Sequence, residues 1–186
     1  MSRLEIYDEA GNATGATITD HGAIATEMEK LGVRFEAWTA DQPLSDEADQ
    51  EEVLNAYDKQ VKALTAEYGF QSVDVVSLRP GHPQAAELRA KFLAEHTHAD
   101  FEVRLFVDGD GLFYLHVGER VYLLLCEAGD LISVPADTTH WFDMGSEPDF
   151  KCIRFFTVAD GWLAEFTGSD IAERFPSYDR FVEQSA

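Results

Sequence analysis

The apolar positions of the chain follow a helical period in two places and a strand period nearly everywhere else. Behind Asp20, residues Ile24, Met28 and Leu31 recur at helical spacing up to Gly32, which predicts a capped helix with a glycine stop. Farther on, Val53, Leu54, Tyr57, Val61, Leu64 and Tyr68 form one stripe closed by Gly69, predicting a single helix behind the acidic, Pro43-containing loop of residues 42–52. Residues 4–7 and 33–38 alternate apolar and polar, the first like an edge strand. Ser72–Leu78 reads as a buried strand. Pro80-Gly81-His82-Pro83 breaks the chain, and Pro83 suits the first turn of a short helix ending near Leu93.

From His96 onward the strand period takes over. Residues 101–107, 112–117, 119–126, 131–134, 140–144 and 150–158 are short β-prone runs. Asp108-Gly109-Asp110-Gly111, Val117-Gly118 and Ala128-Gly129-Asp130 read as turns between them, the first as a tight acidic hairpin. So many short strands predict a closed or double-sheet β-structure with helices outside it. The tail, with Trp162, Leu163, Phe166, Ile171 and Phe175, reads as short helices covering the barrel. At 186 residues the chain fits one domain, 1–186. Within it, an N-terminal αβ elaboration takes about 1–93, a barrel about 94–158 and a helical cover about 159–186.

Charge narrows the function. Fourteen Lys and Arg stand against thirty-five Asp and Glu, a formal net charge of −21. Such a surface repels phosphate backbones and anionic lipids, so neither nucleic acid nor membrane is expected as a partner. An anionic small molecule would need buried cations to enter. No apolar run approaches membrane-spanning length. Cys126 and Cys152 both sit in apolar strand runs, which suits a reducing cytoplasm better than a disulfide framework.

The chemistry concentrates in His96-Thr97-His98-Ala99-Asp100-Phe101-Glu102-Val103-Arg104. In an unbroken extended segment, positions 96, 98, 102 and 104 share a face, so two imidazoles, a carboxylate and a guanidinium would point inward together. Two His and one carboxylate suit a divalent transition metal, although His-x-His alone is better read as a polar strand face turned to solvent. A second segment decides between them. In Gly129-Asp130-Leu131-Ile132-Ser133-Val134-Pro135-Ala136-Asp137-Thr138-Thr139-His140, a tight turn, a strand and a proline stop lead to a third histidine. His21, His82 and His116 lie outside both segments and are left out of the site.

Together the two segments resemble the paired motifs of the cupin superfamily, whose three His and one Glu bind a metal inside a double-stranded β-helix (jelly-roll) barrel. Asp137 stands where the second motif usually has Gly. The stretch 92–156 further resembles the acireductone dioxygenase family of methionine salvage, with Phe101 and Trp141 at positions where that family more often carries an acidic and a basic residue. The resemblance implies a mainly β cupin barrel with peripheral α-helices, and a metal held by His96, His98, Glu102 and His140, one Fe2+ or Ni2+ per chain. It implies a dianionic ene-diol substrate, 1,2-dihydroxy-3-keto-5-methylthiopentene, cleaved with O2. With iron the products are formate and 4-methylthio-2-oxobutanoate; with nickel they are formate, carbon monoxide and 3-methylthiopropanoate.

Arg104 and Arg154 are the candidate cations for that dianion, Arg154 sharing strand parity with Cys152 and Phe156. Arg154 equally fits a structural ion pair with a buried carboxylate such as Glu95 or Asp100. Phe92, Phe142 and Trp162 match positions that resemble the family's aromatic pocket for the methylthio tail. A monomer is expected. Two alternatives stay open: a cupin metalloenzyme of other chemistry, an isomerase or different dioxygenase, and a non-catalytic metal- or small-molecule-binding cupin. Oxygen uptake with an ene-diol separates them.

Overall fold

The computed structural model describes residues 1–161 and 163–184. In chain order its elements are β1 (Arg3–Asp8), α1 (His21–Glu29), β2 (Arg34–Ala37), α2 (Gln50–Ala56), α3 (Asp58–Tyr68), β3 (Ser72–Leu78), α4 (Ala85–Leu93), β4 (His96–Thr97), β5 (Glu102–Val117), β6 (Arg120–Glu127), β7 (Asp130–Val134), β8 (Thr139–Asp143), β9 (Phe150–Phe156), β10 (Glu165–Phe166), a 3-10 turn η1 (Ile171–Arg174) and α5 (Tyr178–Glu183). None of the described helices is long and apolar enough to cross a membrane.

Two antiparallel sheets face each other and share one strand. The first runs β1-β6-β5-β8-β4-β10, and the second runs β2-β7-β5-β9-β3. β5 belongs to both. Its first half pairs with β7 and β9, and its second half pairs with β6 and β8. The expected hairpin at residues 108–111 is therefore absent, because these residues carry the strand from one sheet into the other. A register shift between Phe106 and Asp108 bends the strand, as bulges do where strands change sheets. Glycine is required at the crossing. Gly109 has φ +64°, and a Cβ there would lie 1.8 Å from the Asp149 carbonyl oxygen.

Strand alternation divides the core. Phe106, Phe113, Leu115, Leu124, Ile132, Phe142, Phe150 and Cys152 fill the space between the sheets. The opposite faces are also covered: Val103, Leu105, Ile153 and Phe155 pack with Val53, Tyr57 and Leu64, while Tyr114, Leu123 and Trp141 pack with Phe175 and Phe181 of the tail. Burial on both faces accounts for the near-continuous apolar runs of the central strands.

Several sequence expectations shift. Asp20 caps α1 by accepting the Ala23 N–H (2.8 Å), as its position suggested. The stripe from Val53 to Tyr68 is two helices, interrupted at Tyr57 (φ −108°, ψ 23°), whose side chain is fully buried. The first begins inside the expected loop, where Asp49 and Glu52 form a reciprocal capping box. β3 is a half-buried edge strand, since among the described residues only β9 pairs with it. The tail is not wholly helical: β10 adds a short edge strand against β4.

Candidate metal centre

His96 and His140 are direct cross-strand neighbours, the one rung joining β4 to β8. Glu102 opens β5 opposite Val134. The segment from His96 to Arg104 is not the unbroken strand that parity suggested. β4 ends at Thr97 in the first sheet, and β5 begins at Glu102 between strands of the second. The bend between them is pinned by buried Asp100, which accepts from the Phe101 and Thr157 backbone amides (2.8 and 2.6 Å) and the Thr157 hydroxyl (2.6 Å). A second tie comes from Asp137, whose N–H donates to the His98 carbonyl (2.8 Å). Asp137 has φ 61°, a left-handed conformation that Asp tolerates better than most side chains. It occupies the place where the motif usually has Gly, so the turn survives the replacement.

This bend brings the four side chains together. One ligand atom from each of His96, His98, Glu102 and His140 lies within 4.8 Å of every other, and all four residues are buried. Each imidazole is oriented by a backbone carbonyl at its Nδ1: Ala94 for His96 (2.7 Å), Leu163 for His98 (2.8 Å) and Thr138 for His140 (2.7 Å). A carbonyl only accepts, so Nδ1 carries a proton in all three rings and Nε2 is turned to the centre. Glu102 Oε2 is 2.8 Å from His98 Nε2 and 3.3 Å from His140 Nε2. Glu102 Oε1 lies 2.5 Å from Arg104 Nε, but neither atom has an aligned hydrogen bond. With Nδ1 protonated, a neutral ring turns the Nε2 lone pair inward, and lone pairs of His98 and His140 set this close to Glu102 Oε2 fit a cation between them.

The local field supports that fit. Burial pushes the His96 imidazole down to about 4, with the charge of His140 adding to it, so its lone pair is free near neutral pH. Burial would also lower His98, but the hydrogen bond and charge of Glu102 outweigh it and raise it above the usual value. For Glu102 itself, burial opposes the charge, yet Arg104 and the two histidines hold the carboxyl well below its ordinary range. Three nitrogens and one oxygen without thiolate suit a divalent first-row metal.

A cavity of about 270 Å³ opens beside the cluster, lined by His96, His98, Glu102, Arg104 and Arg154 together with Lys91, Phe92, Phe156, Leu163, Ala164 and Phe166. Phe92 is thus on its wall. Phe142 is not among the lining residues; it packs behind, its ring 4.5 Å from the Arg104 guanidinium carbon, with Phe113 at 4.9 Å. Trp162 lies outside the described residues. Arg154 faces the cavity, but its partner is Asp74 on β3, in a two-point pair at 2.8 and 2.7 Å. Neither Glu95 nor Asp100 is that partner: Glu95 meets His116 and Thr167, and Asp100 pins the bend. A lone acid in the apolar run Ser72–Leu78 was the available signal for Asp74. Phe166 and Leu163 carried no signal, because their place depends on how the tail returns. Trp141 points away from the cavity and stacks on Tyr114 (5.0 Å), and Phe101 sits edge-on to Tyr68 (6.4 Å). His21 meets Asp130 instead of the centre.

Residues 3–164 match the model of the ARD/ARD' family. The acireductone dioxygenase of Aquifex aeolicus is 58% identical over 182 residues, covering 98% of this chain and 99% of that protein. That of Methylococcus capsulatus is 54% identical over the full length of both. Among solved structures, acireductone dioxygenase from Bacillus anthracis with a cadmium ion in its active center aligns with a TM-score of 0.78 and 28% identity, over 89% of this chain and 98% of that one.

Proposed function

The chain belongs to the ARD/ARD' family, and from that premise we propose that it is an acireductone dioxygenase, cleaving 1,2-dihydroxy-3-keto-5-methylthiopentene with O2 in methionine salvage. The observation that carries this reading is the buried cluster of three oriented imidazoles and one carboxylate beside an apolar cavity. The cadmium ion in the active center of the Bacillus anthracis protein supports a divalent metal here.

In this reading His96, His98, Glu102 and His140 hold one Fe2+ or Ni2+ per chain. When bound, the metal supplies Lewis acidity and a template for the two substrate oxygens. The protein's own residues do the rest. The Nδ1 contacts fix each ring before any ligand arrives, so no reorientation is needed. Arg104, braced by the Phe113 and Phe142 rings, presents positive charge beside Glu102, where the enediolate's negative charge would gather. Arg154, tied to Asp74, adds charge at the cavity wall. Phe92, Phe156 and Phe166 exclude water and receive the methylthio tail, with Trp162 assigned to the same pocket by the family resemblance. The reading takes residues 1–186 as one cupin-type domain acting as a monomer in the cytoplasm, where free, buried Cys126 and Cys152 stay reduced.

Product analysis of matched reconstitutions tests it. Fe(II) protein should give formate and 4-methylthio-2-oxobutanoate without carbon monoxide, and Ni(II) protein should give carbon monoxide and 3-methylthiopropanoate with formate. Identical products from both would remove the dual chemistry, and no oxygen uptake with either would remove the dioxygenase reading.

A further inference from the structure

One wall of the cavity is held by very little. β10 is an edge strand with two rungs, Glu165 to Thr97 and Phe166 to His96. Leu163 and Phe166, which line the cavity, are each more than half exposed. Apolar burial therefore contributes little to fixing this segment, and its hydrogen bonds must decide its position. At one end the Leu163 carbonyl accepts from His98 Nδ1 (2.8 Å). At the other end stands Thr167.

Thr167 is unusually well connected for a residue in a tail. Its N–H donates to the Glu95 carbonyl (3.1 Å), and its hydroxyl donates to Glu95 Oε1 (2.7 Å). The Ser169 N–H donates to the same hydroxyl oxygen (3.2 Å). Glu95 is a buried carboxylate that belongs to no part of the metal cluster. Its other oxygen lies 2.8 Å from His116 Nδ1, and His116 Nε2 lies 3.0 Å from Glu9 Oε1. A buried carboxylate persists only where its lone pairs are filled. Here filling them links residues 9, 116, 95 and 167, and so joins the start of the chain and β5 to the wall of the cavity.

We propose that Thr167, seated on the Glu95–His116 pair, is a positioning residue that latches residues 163–167 across the cavity and so determines how the apolar tail of the substrate fits. The kinetic part of this proposal rests on the function proposed above; the structural part does not. Thr167 touches neither metal ligands nor reacting atoms, so its loss acts on tail recognition and spares the chemical step.

Thr167→Val keeps the branched shape and removes the hydroxyl bonds. Backbone amides at 165–167 should exchange with solvent about tenfold faster than in the wild type, the size of one lost hydrogen bond to a charged group. KM for the methylthio ene-diol should rise about five- to tenfold with kcat within about twofold, while an ene-diol lacking the methylthio group shows no such rise. Metal content should stay unchanged, and Thr167→Ser should restore both exchange and KM. Unchanged exchange in Thr167→Val would overturn the latch. Faster exchange with an equal KM rise for both substrates, or with none, would overturn its role in tail recognition. If the wild type consumed no ene-diol, the proposed function would fail, and amide exchange would still decide the latch.

Discussion

At the scale of single residues, the centre works because each side chain arrives already oriented. His96 and His140 reach it from neighbouring strands of the first sheet and His98 from the bend that follows β4, yet each gives its Nδ1 proton to a carbonyl within 2.8 Å. Those ligands were legible in sequence because chemistry dictates residue type: only His, Glu, Asp or Cys could serve, and the motif spacing left one candidate at each place. Their partners were less legible. Asp74 answers Arg154 from 80 positions away, and Thr167 answers Glu95 from 72, distances over which no local pattern operates. Arg104 yields the prediction proper to this scale. Replacing it by Ala should lower kcat by about 100-fold, as for loss of an aimed charge in a dry site, while elemental analysis still finds about one metal per chain. Normal kinetics with unchanged metal would remove Arg104 from the mechanism.

At the scale of elements, β5 determines the architecture. The alternation of apolar residues on both sides of 108–111 was clear in the sequence, but the acidic, glycine-rich stretch between them reads locally as a reversal. What makes it a crossing is tertiary: β9 continues to pair through Asp108 and Gly109, and β6 takes over at Asp110. The same physics explains the tail, where β10 forms only because β4 offers an open edge. Gly109 gives a direct test. Gly109→Ala combines a left-handed backbone with overlap onto the Asp149 carbonyl, and it should destabilise the metal-free protein by about 3 kcal/mol. Guanidinium unfolding of the two proteins measures it, and a difference under about 0.5 kcal/mol, the usual range for a neutral surface change, would show that the crossing does not depend on glycine.

At the scale of the whole molecule, the strongest feature is charge. A net −21 surrounds a cavity whose arginines are largely balanced, Arg154 by Asp74 and Arg104 by Glu102. A dianionic substrate therefore approaches against a repulsive outer field. Raising ionic strength from about 0.01 to 0.15 M shortens the screening length from about 30 to 8 Å and should raise kcat/KM. A fall over that range would mean that attraction by the cavity outweighs the outer field.

The central claim is that one metal ion per chain, held by His96, His98, Glu102 and His140, is the seat of acireductone cleavage. Titrating metal-free protein with Fe(II) and following acireductone-dependent oxygen uptake tests it most directly. Uptake above the enzyme-free background should rise linearly and stop rising at about one equivalent per chain, as tight binding at a single site requires, and His140→Ala should stay at background throughout. Undiminished uptake in His140→Ala, or uptake indifferent to added metal, would contradict the account.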